Sequence, residues 1–225
     1  MRKQIRKTVV LLLISIFITG CSGISNLEKG FGKTKQTEYK LQDDNVFSLG
    51  EEIGLIEPTE EEPDHVAAKY IVKSVQIYTS PKEAGLSEEQ LVGNVDDQRA
   101  IMKGKAATLE RIISAPILII DISITNVDQE NPMVSNFVLV EKKENQIMEV
   151  ISPPCYFSDG THEVDSGVDH YYHYELKEGE SKELRLGYYL GADEYQLDNL
   201  FLADQGYADE QFIHYIELGL QGKVQ

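Results

Sequence analysis

The sequence predicts a mainly β protein folded as a two-sheet sandwich with one short helical insertion. From Ile117 the chain alternates, with Leu118, Ile120, Ile122 and Ile124 on one parity and Ile119, Asp121, Ser123 and Thr125 on the other, the period of a strand with one buried face. Similar short apolar runs recur along the chain, separated by polar turn residues. Between them there are no regularly spaced helices of the kind that parallel α/β sheets require, which favours a sandwich.

The elements follow in order. Arg2, Lys3, Arg6 and Lys7 precede an apolar run from Val9 to Ile18 that is too short to span a bilayer as a helix, and the leader closes on Ile18-Thr19-Gly20-Cys21. Residues 1–20 therefore read as a signal peptide and Cys21 as the acylated residue of a lipoprotein. Residues 21–45, rich in Gly, Ser, Lys, Gln and Asp, read as a flexible tether. The folded domain is expected over 46–225. Its first strand is placed at Val46 to Leu55, followed by a solvated acidic loop, Glu57-Pro58-Thr59-Glu60-Glu61-Glu62-Pro63-Asp64, whose contiguous charges lack the alternating ligands of a calcium loop. Lys69 to Tyr78 is the next strand, with Lys73 breaking its parity as a bulge or an edge position would.

Residues 82–114 change texture. Ser87-Glu88-Glu89-Gln90 has capping-box spacing, and Ala100, Ile101, Ala106, Leu109, Ile112 and Ile113 recur at helical intervals up to Pro116. This stretch is expected to be a helical insertion between two strands. After the strand ending at Asn126 come strands at Phe137 to Glu141 and Ile147 to Ile151. His170 to Leu176 and Glu183 to Leu190 are expected to flank a Lys177-Glu178-Gly179-Glu180 turn, and Leu197 to Ala203 and Phe212 to Leu220 complete the set.

Charge limits the partners. The 225-residue chain carries a formal charge of −17, and since the leader holds four of its 21 basic residues and none of its 38 acidic ones, the remainder stands at −21. Such a body is repelled by nucleic-acid phosphates and by anionic lipid, so attachment to the membrane rests on the lipid at Cys21. A partner on the cell surface is expected to be a basic protein or peptide. With Cys21 acylated, Cys155 has no partner within the chain, and its setting between Pro154 and Tyr156 suits a small buried hydrophobe.

The order Leu49-Gly50-Glu51, Ile120-Asp121-Ile122-Ser123-Ile124-Thr125-Asn126, Phe137-Val138-Leu139, Leu176-Lys177-Glu178-Gly179-Glu180 and Ile216-Glu217-Leu218 resembles a known family. It is that of the immunoglobulin-like domains of Gram-positive surface lipoproteins, related to immunoprotective extracellular domains. The resemblance implies an immunoglobulin-like β-sandwich displayed on the outer face of the bacterial membrane, and it implies no catalytic residues.

The residues with the chemistry to do more lie between Cys155 and His173. His162, Asp165, His170 and His173 are metal-ligand types, but in a strand His170 and His173 would point to opposite faces, so no metal centre and no cofactor is expected. No nucleophile elbow, phosphate loop, dinucleotide fingerprint or zinc-protease helix is present. The expectation is a non-enzymatic binding module. Its rivals are a metal- or thiol-dependent envelope enzyme using residues 155–173, and an accessory lipoprotein of a transporter. Of the tyrosines near the end, Tyr172, Tyr174 and Tyr188 are expected to face inward, and Tyr171 and Tyr189 outward.

Overall fold

A computed structural model describes residues 39–92, 108–130, 132–160, 171–190, 195–204 and 210–222. Among the described residues eleven strands run in chain order: β1 Tyr39–Lys40, β2 Val46–Phe47, β3 Glu52–Ile56, β4 Val66–Tyr78, β5 Ile117–Asn126, β6 Val138–Lys142, β7 Ile147–Ser152, β8 Tyr156–Phe157, β9 Ser181–Tyr189, β10 Leu200–Ala203 and β11 Tyr215–Glu217. They form two sheets, one ordered β1-β7-β6-β10-β11-β2 and the other β3-β4-β5-β9-β8. All pairings are antiparallel except that of β11 with β2. The protein is a β-sandwich.

The core follows from the alternation. Leu118, Ile120 and Ile122 of β5 and Leu186 and Tyr188 of β9 meet Leu139, Leu202 and Ile216 of the opposing sheet, and all are essentially inaccessible to water. Full burial of such a side chain contributes roughly 1.5–3 kcal/mol. Lys73 sits at a register shift between Val72 and Ser74 in the β4–β5 ladder. The parity break in the sequence is thus a bulge, which turns the lysine outward while the apolar residues before and after it keep to the core.

The expected single strand from Val46 to Leu55 is two strands in different sheets. Gly50, at a φ of 89°, turns the chain from β2 to β3, and its N–H donates to Val72 O at 2.9 Å. A side chain is strained at that φ. Upstream, Tyr39–Lys40, in the stretch expected to be tether, pairs with β7. Because β1 and β2 lie at opposite edges of their sheet, Leu41–Asn45 crosses that sheet as a strap. Leu41 and Val46 pack on an apolar cluster containing Val138, Val140, Phe201, Ala203 and Tyr215, side chains whose parity faces away from the sandwich interior.

The insertion packs on the five-stranded sheet. Its described parts are turns, a short 3-10 segment at Glu88–Gln90, and a single helical turn, α1, Leu109–Ile112; Ala100, Ile101 and Ala106 lie outside the described residues. Leu86, Leu91, Ile112 and Ala115 cover Ile117, Ile119, Tyr156 and Tyr189 in a second apolar cluster on the outer face of the five-stranded sheet. Tyr189 is therefore buried rather than outward. Gly187 allows this layer to close, since a Cβ there would fall 2.8 Å from that of Tyr156.

Residues 171–176 do not form the expected strand, and their ladder contact among the described residues is a single bridge between His173 and Met133. The segment is held instead by its aromatic rings. Tyr171 stacks edge-on against Tyr172 at 5.2 Å, its hydroxyl donates to Gln90 O at 2.7 Å and accepts from Phe157 N–H at 3.0 Å, and Tyr172 donates to Pro154 O at 2.7 Å. Tyr171 is thus buried where an outward position was expected. Gly179 does take a positive φ, 76°, and turns the chain into β9.

Candidate functional site

Three loops meet at the end of the five-stranded sheet where β3 and β5 finish and β4 and β9 begin. Asn126, the last residue of β5 and almost fully buried, organises them. Its Oδ1 accepts from Gln129 N–H at 2.7 Å, while its Nδ2 donates to Gln129 O at 3.0 Å and to Leu176 O at 2.7 Å. Its backbone N–H donates to Glu180 O at 3.0 Å, and its carbonyl accepts from Gly179 at 2.9 Å. A side chain that both donates and accepts is needed there, which is why the strand ends in Asn.

This end is strongly acidic. Glu57, Glu60, Glu61, Glu62 and Asp64 project from the β3–β4 loop, Asp128 and Glu130 from the segment after β5, and Glu175, Glu178 and Glu180 from the approach to β9, all exposed. Against them stand Lys177 and His65. The His65 ring is wedged between two carboxylates, with Nε2 2.9 Å from Asp128 Oδ1 and Nδ1 3.3 Å from Glu62 Oε2. The hydrogen bond to Asp128, and then that to Glu62, hold its pKa above the ordinary 6.5. Gln129 Nε2 also donates to Glu57, so the two loops are tied twice around an open hollow.

A second polar cluster lies inside the sandwich. Asp204 follows β10 on the inward parity and is completely buried. Its carboxylate accepts from Tyr70 Oη of the opposite sheet at 2.9 Å, from His214 Nδ1 at 2.8 Å and from His214 backbone N–H at 2.6 Å. Phe47 packs edge-on against the His214 ring at 5.2 Å. Burial, and then the charge of Asp204, push the Tyr70 hydroxyl well above its ordinary pKa, so it remains a donor. This geometry fixes an imidazole on a buried carboxylate. In position it is a bolt between the sheets, since Tyr70 belongs to β4 and the other two flank β10 and β11.

Of the residues singled out by sequence, His162, Asp165 and His170 lie outside the described residues, as does Cys21. His173 is exposed. Among the described residues no three His, Cys, Asp or Glu converge as a metal site would require, and no helix is long and apolar enough to cross a membrane. Cys155 is buried beneath the insertion, where burial pushes its thiol up to about 12. Neither His65 nor the Tyr70–Asp204–His214 group stood out in the sequence. For the first, a histidine closing an acidic loop is a usable signal. The second brings residues more than a hundred positions apart into contact, and nothing local marks it.

No curated protein and no solved structure matches the chain. A family model does match, over residues 51–220, and it spans both sheets from β3 to β11 together with the acidic end and the buried Tyr70–Asp204–His214 group. With most of its length covered by that match, the chain belongs to the family described as Domain of unknown function (DUF5027).

Proposed function

We propose that the protein is a lipid-anchored, extracytoplasmic binding module. In this reading Cys21 carries the lipid, and the acidic end of the sandwich engages a basic protein or peptide at the cell surface. The address rests on the leader, Ile18-Thr19-Gly20-Cys21 behind four basic residues and an apolar run. The recognition reading rests on one observation: three loops from separate parts of the chain present ten carboxylates at one end of a sandwich, against one lysine and one histidine. Such a field speeds encounter with a cation and discriminates against polyanions.

The buried groups favour binding over the thiol-dependent alternative. A thiolate nucleophile needs an accessible, electropositive setting, and Cys155 lies under apolar side chains with its thiol pushed up to about 12. Cys21→Ala is expected to abolish lipid labelling and release the protein from the membrane fraction; retention equal to wild type overturns the anchor. Charge reversal of Glu60, Glu61 and Glu62 together is expected to weaken capture of basic partners from solubilised membranes, as is raised salt. A partner indifferent to both overturns the acidic end as the docking surface.

A further inference from the structure

We propose that His65 is a protonation-operated clasp, which holds the acidic β3–β4 loop against the segment after β5 when charged and releases Glu62 when neutral. The inference deepens the reading of the acidic end as a docking surface and rests on it for its consequence, though not for its chemistry.

Both ring nitrogens face a carboxylate oxygen, Nε2 towards Asp128 at 2.9 Å and Nδ1 towards Glu62 at 3.3 Å. A carboxylate has only lone pairs to offer, so both contacts are attractive only if both nitrogens carry hydrogen. The neutral imidazole has one N–H. Whichever nitrogen loses its proton then sets a lone pair against a carboxylate. The longer contact is the weaker, so Nε2 keeps its proton for Asp128 and the Glu62 contact is the one that fails.

The surroundings make this a change of shape as well as of charge. Glu62 is the corner of the loop: its carbonyl accepts from Thr59 N–H at 3.0 Å and from His65 N–H at 3.3 Å, and its own N–H donates to Thr59 Oγ1 at 2.9 Å. From the loop's own side the ring also has Glu57 and, next in sequence, Asp64. From the opposing segment it has Asp128 and Glu130. Glu57, Glu130 and Asp128 line the same hollow as the ring, and among the described residues lining it there is no lysine or arginine. The imidazolium is therefore the cation that offsets this group. When it is lost the loop gains a net negative charge and a freed carboxylate, so the docking surface is more attractive to a cation above the His65 pKa than below it.

The test is NMR on the full chain in detergent micelles, following histidine ring carbons and backbone amides from about pH 5.5 to 8.5. The His65 ring is expected to titrate above 6.5, the ordinary value, with the Thr59, Glu62 and Asp128 amides shifting at the same midpoint. Asp128→Asn should lower that midpoint, and His65→Gln should abolish the amide transition while the remaining spectrum stays folded. A midpoint at or below 6.5, amides that do not follow the ring, or a transition that survives His65→Gln overturns the clasp. A decalysine peptide supplies the second arm. It is expected to bind more tightly above the midpoint than below it in wild type, with that difference absent in His65→Gln. Equal affinity on both sides of the midpoint overturns the gating. Failure of decalysine to bind at any pH counts against the docking reading and leaves the ring titration to decide the clasp.

Discussion

Two histidine–carboxylate contacts of nearly equal length, 2.8 Å for His214–Asp204 and 2.9 Å for His65–Asp128, differ in the burial of the carboxylate while the two imidazoles are similarly half-buried. Asp204 is sealed between the sheets and takes three hydrogen bonds, one from the opposite sheet, whereas Asp128 is about half exposed on a loop. The difference shows that distance does not set the worth of a contact. At Asp204 water cannot replace a missing donor, so removing the carboxylate strands Tyr70 and His214 inside the protein. At Asp128 water and salt screen the pair, which leaves its protonation state as the property that matters.

The largest break in that comparison is expected from Asp204→Ala. Three donors are orphaned and the sheets lose their bolt, so denaturant unfolding should show a loss of about 3–4 kcal/mol. A loss below about 1 kcal/mol would mean that relaxation or water satisfies the group and that burial is not the deciding factor. Next comes Cys155→Ser, which places a hydroxyl among apolar side chains and should cost about 1–3 kcal/mol. In the native wild type the same cysteine should resist alkylation near neutral pH, because its thiol is pushed up to about 12, and should react on denaturation. Tyr70→Phe sharpens the picture by deleting a single donor while Asp204 keeps both hydrogen bonds from His214. Its expected cost is about 1–2 kcal/mol.

The smallest effect is expected at the exposed site. The folded pKa of His65 lies above 6.5, so its contribution to stability is complete below that value and disappears as pH rises through the folded pKa. His65→Gln should therefore lower the thermal midpoint slightly in mild acid and leave it unchanged in mild alkali. A larger effect in alkali would reverse the sign and show that the neutral ring is the one the fold prefers.

What could be read in advance depended on how far apart the participating residues lie. The Lys73 bulge was legible because a parity break is local, and the strand from Ile117 to Asn126 because Leu118, Ile120, Ile122 and Ile124 share one parity. The split of Val46–Leu55 between two sheets was not, since the apolar content on either side of Gly50 is the same whichever sheet receives it. Residues 171–176 read as a strand because a tyrosine-rich run leads into the Lys177-Glu178-Gly179-Glu180 turn, yet edge-on ring packing and hydroxyl bonds to Gln90 and Pro154 took the place of a ladder. The acidic loop was visible as composition. That two further loops would bring their carboxylates to the same end was not.

By itself the sequence determined the β class, the buried parity of most strands and the acidity of the chain. All of these follow from residue type and short-range periodicity, which act before distant parts of the chain meet. Only the tertiary structure decided which strands share a sheet, that the insertion buries Tyr189, that Asp204 joins Tyr70 to His214, and that His65 sits between Glu62 and Asp128. Each of those needs at least one contact between segments remote in sequence, such as His65 with Asp128 or Tyr70 with Asp204. Burial and desolvation, which set the strength of such contacts, exist only once the segments have packed.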